Sequence, residues 1–231
     1  PEINPHHVKL IDVQRKKRGW KKGCIAVKPN CSIQSYVSIL TALAVFKPER
    51  VHVVSLQAIS GAGKTFAMWP EMVDNVIPLI GGEEEKSEKE PLKIWGSMEN
   101  DHITNAVSPV ISATCIRVPV TNGHMASVSV ACKQKPTHEE IIAAVRDFNN
   151  PLADLNLPSA PKQLIHYFEE ENRPQTKLDR DLENGMAIAM GRLRPDPLFD
   201  FQFVALSHNT LRGAAGGAVL VAELLVAQRY V

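Results

Sequence analysis

Residues 28–34 read Lys28-Pro29-Asn30-Cys31-Ser32-Ile33-Gln34, with a cysteine at the seam between two kinds of local structure. Upstream, Cys24-Ile25-Ala26-Val27 is a short apolar run that predicts a buried strand, stopped by Pro29. Downstream, between Ser32 and Phe46, apolar residues recur at Ile33, Tyr36, Val37, Leu40, Leu43, Ala44 and Val45, a helical rhythm that ends before Pro48. Cys31 therefore falls at a predicted helix N-terminus. There, unpaired N–H groups and the helix dipole favour an anion and lower a thiol's pKa. A cysteine taken alone is more often a small buried hydrophobe; its place at a strand-to-helix turn makes this one a candidate nucleophile.

With 231 residues, 44% of them hydrophobic, the chain can bury a full core. Its net charge of +1, from 26 basic and 25 acidic residues, supplies no field to draw in nucleic acid or an anionic membrane. Four cysteines, at 24, 31, 115 and 132, form no C-x-x-C pair and have no histidine at zinc spacing, so neither a metal site nor a disulfide framework is expected. Reduced thiols and the lack of a signal peptide or a spanning apolar stretch fit a cytoplasmic protein.

Taken in order, Pro1 to Asn4 reads as the end of a strand. Asn4-Pro5 opens a helix that runs toward the basic run Arg15-Lys16-Lys17-Arg18, read as a solvated helix end. Val51 to Ala58 alternates as a strand and leads into the tight loop Ser60-Gly61-Ala62-Gly63. Gly63-Lys64-Thr65 is not a phosphate-binding P-loop, because Ala58 stands where that motif needs its first glycine. Glu83 to Glu90 opens a helix with acidic residues in its first turn, by itself a charged solvated face; His102 to Ser108 is polar and loop-like. Ala113 to Val120 and Ala126 to Cys132 read as two strands flanking the turn Thr121-Asn122-Gly123-His124, which sets Arg117 and His124 beside a common cleft. Thr137 with Glu140 makes a capping box, and residues 164–168, 187–193 and 201–206 are three further strand candidates. Ser207 to Thr210 precede an apolar helix from Leu211 to about Arg229. The fold expected is α+β, a mostly antiparallel sheet with helices on one face.

Read together and in order, these motifs carry more than any one of them. Asn30-Cys31-Ser32, Gln57 with Ser60-Gly61-Ala62-Gly63, Glu83 to Lys86, Arg117-Val-Pro-Val-Thr-Asn-Gly-His124 and Leu206-Ser-His-Asn-Thr-Leu-Arg-Gly-Ala-Ala-Gly216 resemble the aspartate-semialdehyde dehydrogenases, in their fungal and archaeal branch. Arg173-Pro174-Gln175, Leu178-Asp179-Arg180 and Gly191-Arg192-Leu193-Arg194 resemble the same branch. The resemblance implies NADPH-dependent reductive dephosphorylation of L-4-aspartyl phosphate to aspartate 4-semialdehyde, on the route to lysine, threonine and methionine. It implies a glyceraldehyde-3-phosphate-dehydrogenase-like catalytic domain and a homodimer or higher homo-oligomer. It makes Cys31 the nucleophile that becomes an acyl-thioester, His124 the acid/base group and Gln57 the residue that orients the intermediate. Arg117 would bind the substrate carboxylate, Glu83 its ammonium, and Lys86 with Asn30 the departing phosphate; Glu84 stays open as an alternative to Glu83. Ser60, Gly61 and Asn209 fall on the NADP side. The glycine loop departs from the family at Lys64-Thr65, where an aromatic and a proline usually follow the second glycine.

No strand, G-x-G-x-x-G turn and helix precede the cysteine, although the family carries such a dinucleotide-binding unit. The expectation is that residues 1–30 are the remnant of that NADP-binding domain and 31–206 are the catalytic and dimerisation domain. Residues 207–231 would then be a helix that packs on the absent part, leaving an exposed apolar patch, weak NADPH binding and little or no turnover. Two other readings stay open: another cysteine-dependent acyl-phosphate reductase, such as an N-acetyl-glutamyl-phosphate reductase, and a non-catalytic dimerisation module.

Overall fold

The alternation at Val51, Val53, Ser55 and Gln57 is realised in β1 (Pro48–Gln57), where these four side chains are buried and His52, Val54 and Leu56 are half-buried. A computed structural model describes residues 1–231. Around β1 it places β4 (Val110–Arg117), β5 (His124–Cys132), β6 (Ile165–Tyr167), β7 (Ile188–Pro195) and β8 (Phe201–Ser207) in one six-stranded sheet of order β4-β1-β5-β8-β7-β6. The three central pairings are antiparallel and the two outermost, β1 with β4 and β7 with β6, are parallel. The α+β class holds, with a mostly antiparallel sheet.

One face of that sheet makes the core. Val53, Val128, Phe203 and Ile188 lie beneath Ile33, Tyr36, Ile39 and Leu43, all of them 0–1% exposed. The last four come from the segment after Cys31. Up to Leu40 it is buried nearly all round, Ser32, Ser35 and Ser38 included, and so sits between layers instead of running as one amphipathic helix. The predicted continuous helix is accordingly broken. A 3₁₀ turn over Ser32–Ser35, the short α2 (Val37–Ala42) and a second 3₁₀ turn over Leu43–Phe46 follow one another, with Tyr36 at φ −123° where the first ends. Helix α1 (Leu10–Arg18) follows a 3₁₀ turn at Pro5–Lys9, and Gly19 closes it in the left-handed region at φ 65°. Helix α4 (His138–Arg146) carries the expected capping box of Thr137 and Glu140.

Three further expectations fail. The apolar run Cys24–Val27 is not a buried strand: Ile25 and Val27 are 58% and 85% exposed. The backbone of Ile25 is met by the Gln14 side chain, which both donates to it and accepts from it, so no partner strand is involved. The two strands around residues 121–124 do not form a hairpin. They flank β1, which pairs with both, because strand periodicity specifies a buried face and leaves the neighbour open. A small hairpin pairs β2 (Ser97–Glu99) with β3 (His102–Thr104), and β3 takes the first residues of the stretch 102–108 that reads as polar loop.

Helix α3 (Glu83–Ile94) covers the edge strand β4. Its acidic face is only partly the solvated surface it suggests. Glu84 Oε1 accepts the Cys115 N–H at 3.2 Å and Glu88 Oε1 the Ala113 N–H at 3.1 Å, so two carboxylates one turn apart take the outward amides of β4. Glu85 alone pairs with Lys89 in the open. Two short turns, α5 (Thr176–Asp179) and α6 (Leu182–Gly185), precede β7, and a π-turn at Leu211–Ala215 leads into α7 (Gly216–Ala227). Residues 1–30 and 207–231 bind each other: Arg212 donates to Glu2, Lys28 to the Gly213 carbonyl and Arg15 to that of Tyr230. No helix is long and apolar enough to cross a membrane.

Candidate active site

The sheet register assembles one row of side chains. Gln57 at the end of β1 stands opposite Arg117 at the end of β4; His124, which opens β5, stands opposite Ser207, which ends β8. Between β1 and the glycine loop lies Ala58, whose peptide binds both flanking residues. Its N–H donates to His124 Nδ1 at 3.1 Å, and its carbonyl accepts from Arg117 Nη1 at 2.7 Å. Nothing in the sequence marks Ala58, because its contribution is entirely backbone. The other Arg117 nitrogens have no hydrogen-bond partner within the chain, which leaves a guanidinium edge for an incoming anion.

Cys31 faces this row from the segment before α2, with Sγ 3.5 Å from His124 Nε2. Two glycines make the approach possible. A Cβ at Gly213, in the π-turn, would lie 2.6 Å from the Cys31 Cβ, and one at Gly61 would lie 2.9 Å from Arg117 Nη1 and 3.0 Å from His124 Nε2. The predicted low thiol pKa is corrected here. Burial first, and the Glu83 carboxylate next, push the Cys31 thiol above its ordinary value, against the pull of Lys28 and Arg117. The physical reason is local: Cys31 precedes a four-residue 3₁₀ turn, so no α-helix end is there to hold a thiolate. His124 is fully buried, and burial together with Arg117 depresses its pKa to about 3.

The remaining polar residues converge on Glu83. Asn30 Nδ2 donates to both carboxylate oxygens at 2.9 and 3.0 Å, Lys86 Nζ reaches one at 3.0 Å and Gln57 Nε2 the other at 3.4 Å. The Asn30 amide is fixed in that sense because its Oδ1 accepts from the Ser32 N–H and hydroxyl. Glu83 thus faces the cluster while Glu84 faces β4. Asn209, buried, accepts the Gly123 N–H at 2.8 Å and donates to Ser60 Oγ at 2.9 Å, which ties the glycine loop to the turn before His124. Cys24 and Cys132 lie elsewhere, and burial beside Asp200 pushes Cys132 up to about 12, whereas Cys115 is buried behind the site, its Sγ 3.7 Å from Ser87 Oγ and within reach of Gln57. Sequence reasoning also missed Lys28, whose partly buried ammonium donates to the Pro29 and Gly213 carbonyls behind Cys31. No group of three or more His, Cys, Asp or Glu side chains gathers here to hold a metal.

A thiol beside an imidazole, with a guanidinium and a carboxylate at the rim, can accept an acyl group and bind a zwitterion. Residues 40–212 match the family described as semialdehyde dehydrogenase, dimerisation domain. The chain is 43% identical over 240 residues to an aspartate-semialdehyde dehydrogenase of Aspergillus fumigatus, and 43% identical over 231 residues to one of Archaeoglobus fulgidus. Each alignment covers 100% of this chain and 66% of the relative, so the chain spans just under two thirds of their length. The crystal structure of aspartate semialdehyde dehydrogenase with NADP from Candida albicans superposes with a TM-score of 0.86 at 34% identity, over 100% of this chain and 67% of that one.

Proposed function

Because this chain belongs to the aspartate-semialdehyde dehydrogenase family, we propose that it carries the acyl-transfer site for reductive dephosphorylation of L-4-aspartyl phosphate to aspartate 4-semialdehyde, in lysine, threonine and methionine biosynthesis. The observation that carries this reading is the 3.5 Å approach of Cys31 Sγ to His124 Nε2, beside an Arg117 bound to the same Ala58 peptide. Arg117 takes the substrate carboxylate through its unpaired edge. The substrate ammonium replaces the Asn30, Lys86 and Gln57 donors on Glu83, and this exchange frees Lys86 and Asn30 to meet the phosphate. Cys31 attacks the acyl carbon, phosphate leaves and a thioester remains on the sulfur.

NADPH, the cofactor class the family implies, would supply hydride chemistry here when bound. Ser60, Gly61 and Asn209 would hold its reactive end: Gly61 is exposed on its outer side and lies bare against His124 on its inner side. Residues 31–206 form the catalytic and dimerisation unit, and the segments 1–30 and 207–231 form a layer bound together by Glu2, Arg212, Arg15 and Tyr230. An N-acylated substrate has no ammonium for Glu83, which disfavours an N-acetyl-glutamyl-phosphate reductase.

The test is phosphate release from L-4-aspartyl phosphate without any nicotinamide cofactor. The expected result is a stoichiometric burst that Cys31→Ser abolishes; an unchanged burst in that variant, or none in the wild type, contradicts the reading.

A further inference from the structure

Helix α3 meets the Cys31 segment along one stripe. Glu83, Ser87 and Glu90 stand four and three residues apart, so they lie on the same side of the helix, one turn above another. Glu83 accepts from Asn30 Nδ2, Ser87 Oγ meets Ser32 Oγ at 3.5 Å, and Glu90 Oε2 accepts the Asn30 N–H at 2.7 Å. A further contact comes from the main chain. Pro91, inside the helix, has no N–H to return to the Ser87 carbonyl four residues earlier. That carbonyl instead accepts the Tyr36 hydroxyl at 3.1 Å, with Ser87 and Tyr36 both fully buried.

The residue before the nucleophile is thereby held at every polar group. The Asn30 N–H goes to Glu90 and Nδ2 to Glu83, Oδ1 accepts from the Ser32 N–H and hydroxyl, and the carbonyl accepts from Gln34 Nε2 at 3.2 Å. Cys31 adds only its own carbonyl, which takes the Gln34 N–H at 3.4 Å, so the direction of its side chain follows from how Asn30 is held. A charged acceptor gives a shorter and stronger hydrogen bond than a neutral one, and the 2.7 Å contact of Glu90 has that length.

We propose that Glu90 is a positioning residue of the acyl-transfer site: by holding the Asn30 peptide against α3, it fixes the Cys31 sulfur relative to Glu83 and Lys86, which the same helix carries. The proposal rests on the acyl-transfer reading above, and the role runs through Asn30 alone. A nucleophile misplaced by about 1 Å loses about 10²-fold in rate, so a common frame for the sulfur and the substrate-side groups has a kinetic value. The neighbouring stripe of α3, Glu84 and Glu88, fastens that frame to β4. The Glu90 charge also favours the ammonium groups of Lys28 and Lys86, which gives a rival role that needs the charge and not the contact.

The experiment compares Glu90→Ala, Glu90→Gln and Glu88→Ala in the full chain. The last variant loses a hydrogen bond of the same kind, at β4, and controls for a merely structural effect. Hydrogen exchange of the Asn30 amide, followed by NMR, needs no substrate; the phosphate burst from L-4-aspartyl phosphate gives a rate at saturation and a half-saturating concentration. Glu90→Ala should speed Asn30 exchange and slow the saturated burst, each by at least about tenfold, while Glu90→Gln, which keeps an acceptor oxygen, stays within about threefold of wild type and Glu88→Ala within about twofold. Equal losses in Glu90→Ala and Glu90→Gln would favour the charge and overturn the proposal, as would a Glu88→Ala loss as large as that of Glu90→Ala, or a Glu90→Ala burst at the wild-type rate. Should Glu90→Ala not fold, the wild type and Glu90→Gln decide: an Asn30 amide that exchanges like an open peptide in either overturns the proposal, and protection in both supports it. A wild type without a burst sinks the functional reading, and the exchange measurement then decides by itself whether Glu90 holds the Asn30 peptide.

Discussion

At the scale of single residues, the site runs against the simplest reading of a reactive cysteine. Cys31 lies in a partly buried pocket beside the Glu83 carboxylate, and both raise its pKa. A raised thiol is mostly protonated below its shifted value, so its thiolate fraction grows only as pH rises past the ordinary thiol range near about 8.5. Iodoacetamide should therefore alkylate Cys31 with a single inflection above that range in the free chain. Glu83→Gln, which removes the nearest negative charge, should move the inflection to lower pH and speed alkylation at neutral pH. Stopped reactions followed by peptide mapping check both; an inflection unmoved by Glu83→Gln would remove Glu83 from the electrostatics of the sulfur. Taken singly, none of Cys31, Gln57, Glu83, Arg117 and His124 stands out, and the ordered family resemblance singles them out; in the structure they lie together, His124 3.5 Å from the Cys31 sulfur and Gln57 3.4 Å from Glu83. The Ala58 peptide, the close approach of Gly213 and the Lys28 ammonium were illegible, because a backbone group, a missing Cβ and one more lysine leave no residue signature.

At the scale of elements, α3 does two jobs with one face. Glu83 points into the site and Lys86 pairs with it, whereas Glu84 and Glu88 take the outward N–H groups of β4. An edge strand with open amides invites pairing with another chain, and these carboxylates close it. Glu84→Ala and Glu88→Ala should each cost about 1 to 2 kcal/mol, the range of a hydrogen bond to a charged acceptor at a partly exposed site. Glu84→Gln and Glu88→Gln keep an acceptor oxygen and should lose less. Chemical denaturation measures this, and equal losses for Ala and Gln would contradict it. Strand and helix identities were readable from periodicity at β1, β5, β7 and β8 and from the capping box of α4. Adjacency was not. Residues 110–117 and 124–132 look like the two arms of a hairpin, yet β1 runs between them, since a period of two specifies which side chains are buried and leaves the neighbour undetermined. The broken helix after Cys31 has a different cause: a segment buried on nearly every side up to Leu40, its serines included, has no single solvent-facing stripe to define one helical axis.

At the scale of the whole molecule, the sheet has a second face. His52, Val54, Leu56, Ser127, Ser129, Gln202 and Val204 point away from the core and are only half-buried in one chain. This face is the proposed seat of the dimer that the matching family description names. Val204→Glu, which sets a charge in the middle of it, should shift sedimentation from dimer to monomer without unfolding the chain. A dimer that persists with Val204→Glu would place the contact elsewhere. The class of fold was legible from the mixture of alternating and helical stretches, and the order of the strands only from the coordinates.

The central claim is that one sulfur, Cys31, receives the acyl group, and mass spectrometry of the chain quenched after brief exposure to L-4-aspartyl phosphate tests it most directly. The account predicts an aspartyl adduct on the peptide containing Cys31 and on no other, lost in Cys31→Ser and much weaker in Arg117→Lys, whose point charge cannot replace the planar fork. An adduct on Cys24, Cys115 or Cys132 instead, or none on Cys31 in a chain shown to be folded, would contradict it.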